Sequence, residues 1–173
     1  MALYGAAVEY GLHCLLLLLR APRPSARDLA EFQGVSPSYL AKIFTQLEKV
    51  GLVRSVEGVG GGFELARPAE RISVAAVVDA LEGDKRLFDC QDIRHRCVLF
   101  DGRPPDWATA GTCGIHAVML RAERDMRRVL EGVTLADLAA GLAPKLPPEH
   151  HRRGEAWFAE RAQARRERRG GNR

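Results

Sequence analysis

Four cysteines, Cys14, Cys90, Cys97 and Cys113, are the side chains of this 173-residue chain best suited to metal or thiol chemistry. No two form a Cys-x2-Cys pair, the common spacing of a structural zinc site. In a reducing compartment they stand as thiols or metal ligands rather than disulfides. A second candidate lies near the N-terminus. Glu9 and His13, four residues apart, fall on one face of any helix. Apart from two phenols and Cys14 they are the titratable side chains of an otherwise apolar stretch. Buried, a carboxylate and an imidazole need partners, and a metal would satisfy both. Exposed, they make an ordinary i,i+4 surface pair. The chain has no phosphate loop, nucleophile elbow or His-Glu-x2-His helix, which argues against an enzyme.

These residues must be held by a fold, and composition bounds it. With 46% hydrophobic and 28% charged residues the chain can bury a core and is not disordered throughout. The apolar run Leu12–Leu19 is interrupted by His13 and stopped by Arg20, too short to span a bilayer. No basic segment precedes a cleavable apolar one. The expectation is a soluble, cytoplasmic protein with no membrane partner. The net charge of +4 comes from the C-terminal arginines (Arg152, Arg153, Arg161, Arg165, Arg166, Arg168, Arg169, Arg173). It therefore does not mark the front of the chain as a DNA binder.

The hydrophobic periods predict a mainly α fold with one small β-hairpin. Residues 2–20 read as a helix, ended by Pro22 and Pro24. Ser25 caps a second helix over 26–33, with Leu29 and Phe32 inward. Gly34 and Val35 turn the chain, and Ser36 caps a third helix with Pro37 in its first turn. Leu40, Ile43, Phe44, Leu47 and Val50 recur at helical spacing until Gly51. Residues 52–56 and 62–66 read as strands joined by a glycine-rich turn. Ser73–Glu82 is a further helix, and 83–112 lacks periodicity. A long helix over 114–131 carries Ile115, Val118, Met119, Ala122, Met126 and Val129 on one stripe. Thr134 caps a short helix. From Pro144 on, a basic and loosely ordered tail is expected, with His150 and His151 solvated. Sequence-independent attraction to DNA is its alternative use.

Helix, short turn, helix and hairpin is the layout of a winged helix-turn-helix, whose second helix enters the major groove. Ser36, Pro37, Ser38 and Tyr39 open that helix with short hydrogen-bonding groups able to hold phosphate or reach base edges. Lys42 and Gln46 lie opposite Leu40 and Leu47. Gly60 and Gly61 allow the wing a close backbone approach. Glu57, just before the wing, would repel phosphate. A winged helix used only for protein contacts is the competing reading.

The segments Val35–Leu40, Gly51–Val53, Gly60–Pro68, Ile72–Gly83 and Thr134–Leu138 resemble the Rrf2 family of bacterial winged-helix transcription regulators, over roughly residues 1–140. The resemblance implies a homodimer that binds a double-stranded DNA operator and whose long helix crosses its partner's. It implies an iron–sulfur cluster before that helix. With the pattern of elements it divides the chain into a DNA-binding domain (1–83), a cluster-binding loop (84–113) and a dimerisation helix with a short capping helix (114–143), and the residue pattern adds a flexible basic tail (144–173).

Residues 8–14, 88–96 and 113–115 look most like the redox-sensing RsrR type within this family. Carried over, that likeness places a [2Fe–2S] cluster on Glu9 and His13 of one subunit and Cys90 and Cys113 of the other, with Cys97 spare. The conventional arrangement implies instead Cys90, Cys97 and Cys113, with His116 in a Cys-x2-His step. The implied function is a transcription regulator sensing redox or nitrosative stress through the cluster. The alternative is a cluster-free member controlled by a partner protein or by thiol chemistry.

Overall fold

The computed structural model describes residues 2–21, 23–58, 61–83 and 85–170. The chain folds as two compact units, Met1–Gly83 with Leu130–Arg173, and Asp84–Val129.

In the first unit, α1 (Ala6–Leu18) buries Val8, Gly11, Cys14 and Leu15. The other helix starts are fixed by short polar caps. Ser25 caps α2 (Ala26–Gln33) in a capping box with Asp28, and Gly34 ends it in the left-handed conformation at φ 68°. Ser36 accepts the Tyr39 amide and Pro37 begins α3 (Pro37–Lys49). Leu40, Ile43, Phe44 and Leu47 of α3 are wholly buried, whereas Val50, expected on the same stripe, is exposed just past the helix end.

Strands β1 (Val53–Val56) and β2 (Gly62–Leu65) pair antiparallel, Val53 opposite Leu65 and Val56 opposite Gly62. The hairpin is anchored near its turn end, where the Phe63 amide donates to the Pro24 carbonyl at 2.9 Å and the Phe63 ring packs on Phe44 at 4.6 Å. Gly62 has no room for a side chain, because a Cβ would strike the Arg23 carbonyl. Ser73 caps α4 (Val74–Glu82), which closes on α1 where Gly11 faces Leu81. Thr134 caps α7 (Leu135–Leu142) through a second capping box, and Ser73 bridges Thr134.

In the second unit, short 3-10 turns at Ile93–Arg96 and Val98–Phe100 and the single turn α5 (Asp106–Thr109) occupy the aperiodic stretch. They lead into α6 (Gly114–Glu131), whose last residues belong to the first unit. No residue of α6 is buried. Ile115, Val118 and Val129 are 63%, 65% and 67% exposed.

The C-terminal segment departs from expectation. Instead of a loose tail, Pro148–Gly170 forms a 23-residue helix, α8. It buries Phe158 and Ala162 and stacks Trp157 and Phe158 on Phe32 of α2. Two arginines on its inner side, Arg161 and Arg165, pair with Glu31 and Asp28 of α2. An inner face partly built of arginines breaks the apolar stripe, so the sequence pattern conceals the docking. His151, expected in solvent, joins its Nδ1 to Arg20 Nη1 at 2.8 Å. Phe32 turns toward α8 rather than into the core and keeps 36% of its surface exposed.

Candidate nucleic-acid interface and cysteine loop

α2, Gly34–Val35 and α3 form a helix-turn-helix, and β1–β2 form the wing behind it. On α3 the residues Ser36, Pro37, Ser38, Lys42 and Gln46 are all exposed. The Ser36 hydroxyl oxygen is engaged at 3.2 Å by the Tyr39 amide and lies 3.4 Å from the Ser38 hydroxyl. Tyr39 is half-buried, its ring edge-on to Tyr10 at 5.9 Å, so its aromatic body is part of the packing. Ser38, Lys42 and Gln46 are left as the polar groups of this face. At the wing, the Gly61 amide donates to the Gly58 carbonyl at 3.0 Å, and a Cβ on Gly61 would strike the Val56 carbonyl. Gly60 lies outside the described residues. Glu57 is exposed, whereas Glu64 draws in both Arg54 and Arg23 at 2.7 and 2.9 Å. These two arginines hold the wing carboxylate below the usual range.

Glu9 and His13 stand exposed on α1, one turn apart. Both border a shallow apolar hollow floored by Val8, Leu12, Leu16 and Leu138. Cys14, next in sequence, is wholly buried, and burial pushes its thiol up to about 12. It is a core residue.

The remaining three cysteines belong to the second unit and are all partly exposed. Cys113 immediately precedes α6. The amides of His116 and Ile115 point at its sulfur and lower its pKa, Arg94 adding to the effect. Cys90 shares a hollow of about 480 Å³ with His116, Phe88 and Arg124. Arg94 ties the turn carrying it to the approach to α6, donating to the Gly111 carbonyl at 3.0 Å. Cys97 sits between the two 3-10 turns. Among the described residues, no three His, Cys, Asp or Glu side chains gather into a metal site. Neither ligand set is assembled within the described chain.

Sequence reasoning missed the outer flank of the helix-turn-helix, where α8 lies along α2. The signal there is faint: Trp157, Phe158 and Ala162 recur at helical spacing, but Arg161 and Arg165 interrupt the stripe.

This arrangement of helices and hairpin defines a winged-helix DNA-binding protein. Residues 4–141 match the Rrf2 family, described as an iron-dependent transcriptional regulator, and the chain belongs to that family. The protein rrf2 of Nitratidesulfovibrio vulgaris is 37% identical over 123 residues, covering 70% of this chain and 75% of that protein. The HTH-type transcriptional regulator NsrR of Halalkalibacterium halodurans is 31% identical over 134 residues, 75% of this chain and 85% of its own. Among solved structures, IscR of T. potens superposes with a TM-score of 0.59 at 27% identity, covering 79% of this chain and 85% of that one. The protein is thus a DNA-binding transcriptional regulator, not an enzyme. No described helix is long and apolar enough to cross a membrane.

Proposed function

We propose that this regulator is a homodimer that senses redox or nitrosative stress through a [2Fe–2S] cluster held between subunits. The observation that carries the reading is the state of Glu9 and His13. They are an acid and an imidazole on one face of α1, exposed at the edge of an apolar hollow. An exposed i,i+4 pair is by itself an ordinary surface pair; the apolar hollow beside it is what a second subunit would cover, and the family resemblance supplies the ligand roles. Cys90 and Cys113 are the complementary half that the resemblance implies, and the lowered pKa of Cys113 makes its thiol easier to deprotonate for iron binding. When bound, the cluster would supply one-electron redox chemistry, with histidine ligation raising its potential.

The rest of the chain fits a two-state switch. The exposed stripe of Ile115, Val118 and Val129 on α6 is suited to a second copy of itself. A cluster bridging α1 of one subunit and the cysteine loop of the other would bias how the two helix-turn-helix units are spaced. On DNA, the start of α3 with Ser36, Pro37, Ser38 and Tyr39 would enter the major groove. Lys42 and Gln46 would lie along it and Gly60–Gly61 against the backbone. A second reading, control by thiol chemistry without a cluster, draws on the same lowered pKa of Cys113. Iron and sulfide analysis and visible absorption of anaerobically purified protein separate the two. Cluster-sensing predicts both elements and a visible band, and operator binding that differs between oxidised and reduced protein. Thiol control predicts neither element.

A further inference from the structure

α8 runs antiparallel to α2, and the register can be followed residue by residue. Phe32, near the end of α2, meets Trp157 and Phe158 with ring centroids 5.3 and 4.9 Å apart. Glu31 takes Arg161, whose guanidinium also lies 4.0 Å over the Trp157 ring. Asp28, in the first turn of α2, takes Arg165. The C-terminal end of α8 is therefore carried to the N-terminal end of α2, where the turn end of the wing is also held through Gly62 and Phe63. There Arg165 Nη2 donates to the Arg23 carbonyl at 3.2 Å. Its side chain lines a hollow of about 520 Å³ with Ser25, Ala26, Ser55, Glu57 and Gly61.

In a winged helix the first helix of the pair crosses the DNA backbone and the wing lies beside it. The turn of α8 that carries Arg165 borders both, and the helix runs on past it to Gly170. We propose that the last turns of α8 are a third DNA-contacting element, with Arg166 and Arg168 binding backbone phosphates of duplex DNA beside the wing. The arginines of α8 divide the work. Arg161 and Arg165 are neutralised by Glu31 and Asp28 and hold the helix in place. Arg166 and Arg168 are exposed past that anchor. Nearby charges sort accordingly. Arg27 is exposed at the start of α2, Arg23 and Arg54 are drawn to Glu64, and Glu167 receives Gln163 at 2.9 Å. Glu57 leaves the tip side of the wing with an acid where phosphate calls for a cation. The end of α8 supplies that cation from the neighbouring element.

The test is a salt titration of full-length protein on an operator duplex selected from a random-sequence pool, and on a scrambled duplex of the same length. R166Q/R168Q should weaken both together. It should also flatten the slope of log affinity against log salt by up to about 0.9 for each phosphate no longer neutralised. R166K/R168K keeps the charge and should keep the slope, and R168Q alone should give part of the change. An unchanged slope in R166Q/R168Q, or weakening confined to the operator duplex, overturns the proposal. The proposal rests on α3 and the wing facing DNA. Ser38→Ala tests that premise separately, because it should lower operator affinity without altering the salt slope.

Discussion

Asp28 and Arg165, 137 residues apart in sequence, form an ion pair that fastens α8 to the first turn of the helix-turn-helix. The same carboxylate closes the capping box of α2, accepting from Ser25 Oγ at 2.6 Å and from the Ser25 amide at 3.0 Å. One side chain thus serves both the start of α2 and the docking of the C-terminal helix.

Asp28→Ala removes the box partner and leaves a mostly buried guanidinium unpaired. It should destabilise the protein by about 2–4 kcal/mol, more than cap removal alone. Arg165→Ala leaves the more deeply buried Asp28 carboxylate with its Ser25 donors alone and should cost about 1–3 kcal/mol. In a double-mutant cycle followed by urea unfolding, the two should couple rather than add. Additive effects would mean that Arg165 contributes nothing through Asp28.

Local chemistry made most of the DNA-reading fold legible. Ser25, Ser36 and Thr134 each occupy the capping position that their sequence context indicates, and Ser73, read as the first residue of its helix, is its cap. The α6 boundaries and the hairpin follow from Gly, Pro and period in the same way. α8 was not legible because its inner face includes Arg161 and Arg165, which are neutralised by acids of α2 that no local pattern connects to them. The candidate cluster site was legible only as types and spacings. Glu9 and His13 belong to one folded unit and the three loop cysteines to another. No helix period or turn rule brings such donors together.

The reading face of α3 is best probed at Ser38, because Tyr39 also packs on Tyr10. Ser38→Ala should lower operator affinity by about 1–3 kcal/mol if the hydroxyl makes a base contact, with the melting temperature unchanged. Glu57→Arg should raise affinity for any duplex and steepen its salt dependence by about 0.9 in slope. Anisotropy titrations at several salt concentrations measure both. Indifference to both substitutions would remove α3 and the wing from the interface.

The cysteines should differ sharply in reactivity. A lowered pKa means more thiolate at a given pH, so in cluster-free protein alkylation of Cys113 should set in at lower pH than for an ordinary thiol. Cys14, buried and raised to about 12, should stay unlabelled until the protein unfolds. Mass spectrometry after timed iodoacetamide exposure across a pH series reads each site. Equal labelling of Cys14 and Cys113 in the folded protein would contradict the burial of one and the helix-end setting of the other.

The central claim is the mixed ligand set shared between subunits, and the cluster content of two variants tests it most directly. His13→Ala and Cys97→Ala are purified anaerobically, and their iron, sulfide and visible absorption are compared with those of the parent protein. Removing a true ligand opens the cluster iron to solvent, whereas removing a bystander changes only packing. The mixed set predicts that His13→Ala loses or destabilises the cluster and that Cys97→Ala retains it. A cluster that survives His13→Ala and is lost in Cys97→Ala would contradict the account and leave the three loop cysteines as the site.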